Sequence, residues 1–117
     1  MFRFEKYEVW HRAVDIANRV YSDTRTFPTE ERFGLTSQMR RASVSISSNI
    51  AEGSSRSSDK DFAHFVEIGY GSLMEVISQS HIAHHQSFLA EAALSTLYKE
   101  GEELARMLSG LKGKLSQ

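Results

Sequence analysis

The chain has 117 residues, no cysteine and a formal net charge of −1, from 14 Lys and Arg against 15 Asp and Glu. That length is one domain's worth and can bury one real core without staples, so residues 1–117 are expected to form a single domain. The composition excludes disulfides and thiolate metal sites, and its charge balance supplies no general attraction to nucleic acid.

The opening residues MFRFEKYEVW mix charged and aromatic side chains without an apolar run, so no signal peptide is expected. No stretch approaches the roughly 20 apolar residues of a membrane span. A cytoplasmic chain with no membrane partner is the expectation. Residues 1–60 hold 10 basic and 8 acidic side chains, and residues 61–117 hold 4 and 7, so an anionic partner would meet the first half.

The only proline is Pro28, and the apolar residues follow alternating steps of three and four. A first helix is predicted from about Lys6 to Arg25, with Trp10, Ala13, Ala17, Val20 and Thr24 as its core stripe and Val9, Ile16 and Tyr21 beside it. Glu8 with Arg12, and Asp15 with Arg19, stand four apart in the favourable order for solvent-side pairs. Pro28 ends the helix, because the residue before a proline is pushed out of helical angles.

A second helix is predicted from about Glu31 to Ala51, with Thr29 as N-cap and Gly53 as C-cap. Its stripe is Leu35, Met39, Ala42, Ile46 and Asn49. A third runs from about Asp59 to His85, opened by Ser58 and Asp61 as a capping box. Its stripe is Phe62, Val66, Gly69, Leu73, Val76, Ser80 and Ala83, flanked on both sides by Phe65, Ile68, Tyr70 and Ile77. A fourth runs from about Leu89 to Leu115 on Ala90, Leu94, Leu97, Gly101, Leu104, Leu108, Leu111 and Leu115. Four amphipathic helices joined by short turns make an all-α, antiparallel up-down-up-down four-helix bundle, and no strand is predicted.

The chemistry native to such bundles is a di-metal carboxylate site built on Glu-x-x-His pairs that point inward. Glu8-x-x-His11 and Asp61-x-x-His64 have that spacing, but the stripes put Glu8, His11 and His64 outside. His81, His84 and His85 suit the negative end of a helix in solvent. The serines lack an elbow or an acid–base partner. Gly69-Tyr70-Gly71 lies inside a helix without the strand of a phosphate loop. No catalytic, cofactor or metal residue is expected, and the chain is not expected to be an enzyme.

Each helix-internal glycine costs about 1 kcal/mol relative to alanine and so needs a reason. Gly69, Gly71 and Ser72 make a smooth patch for close helix packing, and Ser43, Ser45, Ser47 and Ser48 make the second helix slim. Val44 and the broad apolar surface of the third helix exceed what one bundle buries, and surplus apolar faces mark partners.

The ordered set FPTEERFGL, QMRRA, SISSNIAEG and GSLMEV spans Phe27 to Val76. With the Trp10 helix and the leucine-rich fourth helix, it resembles the four-helix bundle proteins encoded in intervening sequences of bacterial 23S ribosomal RNA genes. That group is similar to the accessory variability protein of diversity-generating retroelements, a homopentameric barrel that contacts a reverse transcriptase and binds nucleic acid. The resemblance therefore implies a homopentamer, with RNA or a nucleic-acid enzyme as partner. It implies no enzyme activity, since none is established in the group.

Gln38, Arg40, Arg41, Asn49, Glu52 and Glu75 fall on the family's recurrent polar positions. Asn49, expected in the core stripe, would fix register. Glu52 lies near Arg56. Arg40 and Arg41 are expected to point away from the core, where a subunit seam with Glu52 or Glu75, RNA phosphates and plain solvent all remain open. This chain departs from the markedly basic retroelement relative, and Glu8 and Asp15 blunt the face formed by Arg3, Lys6, Arg12 and Arg19. A module that binds a protein and no RNA is the first rival reading. A di-metal enzyme is the second.

Overall fold

A computed structural model describes all residues from Met1 to Gln117. Four helices carry the fold: α1 (Glu8–Thr24), α2 (Leu35–Ser54), α3 (Asp59–His85) and α4 (Glu91–Leu115). Short 3-10 turns at Arg3–Lys6 and Thr29–Glu31 precede α1 and α2, and there is no strand. The 44 Å long axis is close to the roughly 40 Å of a 27-residue helix rising about 1.5 Å per residue, so the helices lie along it.

Side-chain pairings give the direction of every helix. Gly53 faces Phe62 and Phe65, Gly69 faces Asn49, and Ser45 meets Ser72, so α2 and α3 are antiparallel. Glu67 pairs with Lys112 while Gly101 faces Ile77, which makes α3 and α4 antiparallel. Arg12 pairs with Glu103 and Arg19 with Glu100, closing α4 antiparallel against α1. The core is one cluster drawn from all four helices, with Phe62, Ile16, Met39, Ile46, Leu73, Leu97 and Leu104 among its fully enclosed members.

The third helix is as the pattern predicts, save that only one of the two capping-box bonds forms. Its seven stripe residues are all buried, and Ser58 Oγ accepts the Asp61 N–H at 3.1 Å. The other helices differ in detail. In α1 the buried set is Val9, Ala13, Ile16, Val20 and Thr24, while Trp10 and Ala17 are half-buried. Both sets have helical spacing, and the side on which α2 and α4 close selects between them. Trp10 packs at the rim against Phe4, with ring centres 4.9 Å apart.

The second helix starts at Leu35, not Glu31, and Thr29 does not cap it. Gly34 is the N-cap, and the Glu31 carboxylate accepts the Leu35 N–H at 3.0 Å, supplying the acceptor that glycine lacks. Its stripe continues through Ile50 and Gly53, so Asn49 lies beside the core and not in it. Gly53 is inside the helix, buried against α3, and is not a C-cap. The α3–α4 turn closes with Ser87 at φ 65°, Phe88 N–H bonded to Ala83 O and Ser87 N–H to His84 O, the paired bonds of a Schellman motif.

No helix is long and apolar enough to cross a membrane.

Candidate functional site

The polar residues singled out in the sequence gather mainly on the outer side of the α2–α3 pair. Gln38, Arg41, Ala42 and Ser45 of α2 and Ser72, Glu75 and Gln79 of α3 line an open groove of about 370 Å³. The groove is polar because both helices present small or polar residues one step off their core stripes. Its floor is a hydrogen-bond chain. Asn49 Nδ2 donates to Ser45 O at 2.8 Å and to Ser45 Oγ at 3.0 Å, and Ser45 and Ser72 hydroxyls lie 2.9 Å apart. Ser72 Oγ donates to Ile68 O, so Ser45 is the donor of the inter-helix bond. Asn49 thus serves the α2–α3 contact from beside the core.

Around this floor the groove is unsatisfied. The chain's ion pairs are Arg12–Glu103, Arg19–Glu100, Arg56–Glu52 and Lys112–Glu67, so Arg41 and Glu75 have no charged partner. Gln79 Oε1 is buried and has no donor. Beyond the groove, Val44 of α2 and Ile68 and Ile82 of α3 are exposed aliphatics on these two helices. Gly71 is exposed, and a Cβ there would meet nothing within 4 Å. Gly69, by contrast, is buried at the α2–α3 crossing, 3.5 Å from Ile46 O at its Cβ position.

The two arginines of QMRRA part company. Arg41 is exposed in the groove. Arg40 is half-buried and turned back on α1. Its Nε donates to Thr24 Oγ1 at 2.9 Å, its Nη2 to Tyr21 O at 3.5 Å, and its guanidinium lies 4.7 Å from the Tyr21 ring centre. A cation at the last carbonyls of α1 complements that helix's negative end, so Arg40 ties α1 to α2. The expectation that it points away from the core is corrected. Glu52 and Arg56 form an exposed pair at 3.9 Å at the far end of α2, with Arg56 over the Phe65 ring, away from the groove.

Arg12 and Arg19 likewise bind α4 glutamates and not Glu8 and Asp15 of their own helix. Next to the second pair, Asp23 has a buried Oδ2 without a partner. Burial pushes its carboxyl above the usual range, Arg19 pulls it down, and Glu100 pushes it up again.

No three His, Asp or Glu side chains converge where a metal could sit. Glu8, His11 and His64 are exposed. His84 Nδ1 lies 3.0 Å from Leu89 O across the α3–α4 turn, and His81 meets the edge of Tyr98.

Charge and packing together define a four-helix bundle carrying an unsatisfied polar groove on one helix pair. A family model described as 23S rRNA-intervening sequence protein matches residues 5–110, and the chain belongs to that family. Its fold is similar to the crystal structure of a protein of unknown function from the S23 ribosomal protein family of Bacteroides thetaiotaomicron. The TM-score is 0.76 at 18% identity, over 86% of this chain and 94% of that one. No curated protein matched the chain.

Proposed function

We propose that this protein is a non-enzymatic, self-assembling helical scaffold of the cytoplasm, whose outer α2–α3 face is the seam between copies. The observation that carries this is the unpaired Arg41 and Glu75 on either side of one groove, with Gln79 Oε1 lacking a donor. The cation stands on the α2 side of the groove and the anion on the α3 side, so copies can join head to tail, Arg41 of one meeting Glu75 of the next, the heterologous contact that closes a ring. Exposed Val44 and Ile68 add apolar area, and Gly71 permits close approach. The resemblance to the homopentameric retroelement accessory protein supports a reading of five copies, with RNA or a nucleic-acid enzyme as the partner.

A second reading, a protein-binding module without RNA affinity, is favoured by the way the chain occupies its own arginines. Arg12, Arg19 and Arg56 face carboxylates, and Arg3 and Arg40 bond to oxygens of the chain. Affinity for nucleic acid rests on cations free to replace counterions.

One experiment separates the readings. Arg41→Glu, which leaves the α1–α2 tie through Arg40 intact, is compared with wild type by light scattering and by fluorescence anisotropy with a structured RNA at about 50 and 200 mM salt. Loss of assembly in the variant, with RNA ignored by both proteins, supports the scaffold without RNA. RNA binding that falls steeply with salt and is lost in an assembled variant makes Arg41 a phosphate contact. A wild type that elutes as a 13.3 kDa monomer refutes the seam.

A further inference from the structure

Phe33 is 85% exposed, the most exposed aromatic side chain on the chain. It is not on a loose tail. The turn that carries it is held by Arg32 N–H to Thr29 O, Gly34 N–H to Glu31 O and Leu35 N–H to the Glu31 carboxylate. The Arg32 guanidinium lies 4.9 Å from its ring centre. Beside it is an open hollow of about 410 Å³, lined by Glu31, Gly34, Leu35, Gln38, Ile82, Gln86 and Phe88. Ile82, half exposed, and partly buried Phe88 give this hollow an apolar wall, and Phe33 does not fill it.

We propose that this bundle end is a second self-association surface, in which Phe33 of one copy inserts into the Leu35–Ile82–Phe88 hollow of another and receives the partner copy's Phe33 in return. Two features select a second copy as the occupant. Knob and hollow lie on one patch, which is the arrangement a two-fold contact requires. The turn brings a cation with the knob, and the hollow has an acid at its rim, so Arg32 meets Glu31 of the opposite copy in both directions. An aromatic anchor entering a partly apolar pocket with a polar rim is the usual centre of a binding surface. The contact joins ends of bundles through Phe33, Leu35, Ile82 and Phe88, none of which lines the lateral groove, and it doubles whatever assembly that seam forms.

The test is light scattering on gel filtration over a concentration series, with Phe33→Ser and Ile82→Asp against wild type. Both substitutions fall on exposed side chains, and helix content by circular dichroism checks the fold. Each variant is expected to have half the wild-type mass, and an equimolar mixture of the two is expected to regain part of the association through the one intact knob-and-hollow pair. Phe33→Trp gives an independent reading: indole emission beyond that of Trp10 shifts to the blue as concentration rises. An unchanged mass for Phe33→Ser overturns the proposal, as does loss of association in that variant alone, which would place its seat elsewhere. Arg41→Glu keeps the two surfaces distinct. Mass lost with Arg41→Glu only leaves the seam standing without the end contact, and mass halved with both Phe33→Ser and Ile82→Asp but not with Arg41→Glu does the reverse.

Discussion

Gly53→Ala tests how closely α2 and α3 approach at their shared turn. A Cβ added at Gly53 would lie 2.7 Å from Phe65 Cβ and 2.8 Å from Phe62 Cδ1. Both distances are roughly 1 Å inside ordinary carbon–carbon contact. Phe62 is fully buried and has no room to rotate away. The Phe65 atom is a Cβ, fixed to its own backbone, so no rotamer change relieves it and the helices must separate. Overpacking of this kind costs about 1–3 kcal/mol, and alanine returns about 1 kcal/mol in helix propensity. The net expectation is a loss of up to about 2 kcal/mol, which in a domain of this size lowers Tm by up to roughly 10 °C. Gly69→Ala and Gly101→Ala are the controls. At Gly69 the nearest atoms are at 3.5 and 3.7 Å, ordinary contacts, so the propensity gain should dominate and stability should rise. At Gly101 the close atom is Ile77 Cδ1, the far end of a flexible side chain, so the change should be near neutral. The assay is thermal and urea unfolding followed by circular dichroism, with every variant at one protein concentration because association raises Tm by mass action. If Gly53→Ala is as stable as wild type while Gly69→Ala is not stabilised, the close-approach reasoning fails.

Two further predictions concern single residues. Ser87→Gly should stabilise the chain by about 0.5–1 kcal/mol in urea unfolding, because Ser87 holds φ 65° at the position where glycine is free of strain; an unchanged midpoint would show that its neighbours already compensate. Asp23 binds its proton more tightly when folded, so it favours the fold most below its ordinary value of 3.8, and that contribution is lost as pH rises through the raised folded value. Asp23→Asn should therefore melt above wild type at neutral pH and converge with it near about pH 3; a gap that widens toward acid would contradict the direction.

The third helix was legible from the sequence down to its cap. Its stripe runs unbroken through seven positions, and Ser58 and Asp61 mark its start chemically, so periodicity and capping agree. In α1 the pattern put Trp10 and Ala17 in the stripe with Val9 and Ile16 beside it, and the packing of the neighbouring helices reversed those two choices. The groove was half legible. Gln38, Arg41 and Glu75 stood out as polar residues, but Gln79 and Ser45 carry no motif and were missed as groove residues. The unpartnered Gln79 oxygen is a property of packing alone.

The sequence by itself determined the number of helices, their approximate ends and the all-α class, because these follow from spacing and turn chemistry within a few residues. It could not assign partners. Arg12 and Arg19 each had an acid four residues back and turned to α4; Arg40 and Arg41 were neighbours and went to opposite sides. Gly53 had the sequence context of a cap and became the tightest point between two helices. A long side chain or a missing Cβ is used by whichever group comes within a few ångströms. That distance exists only once the helices have packed.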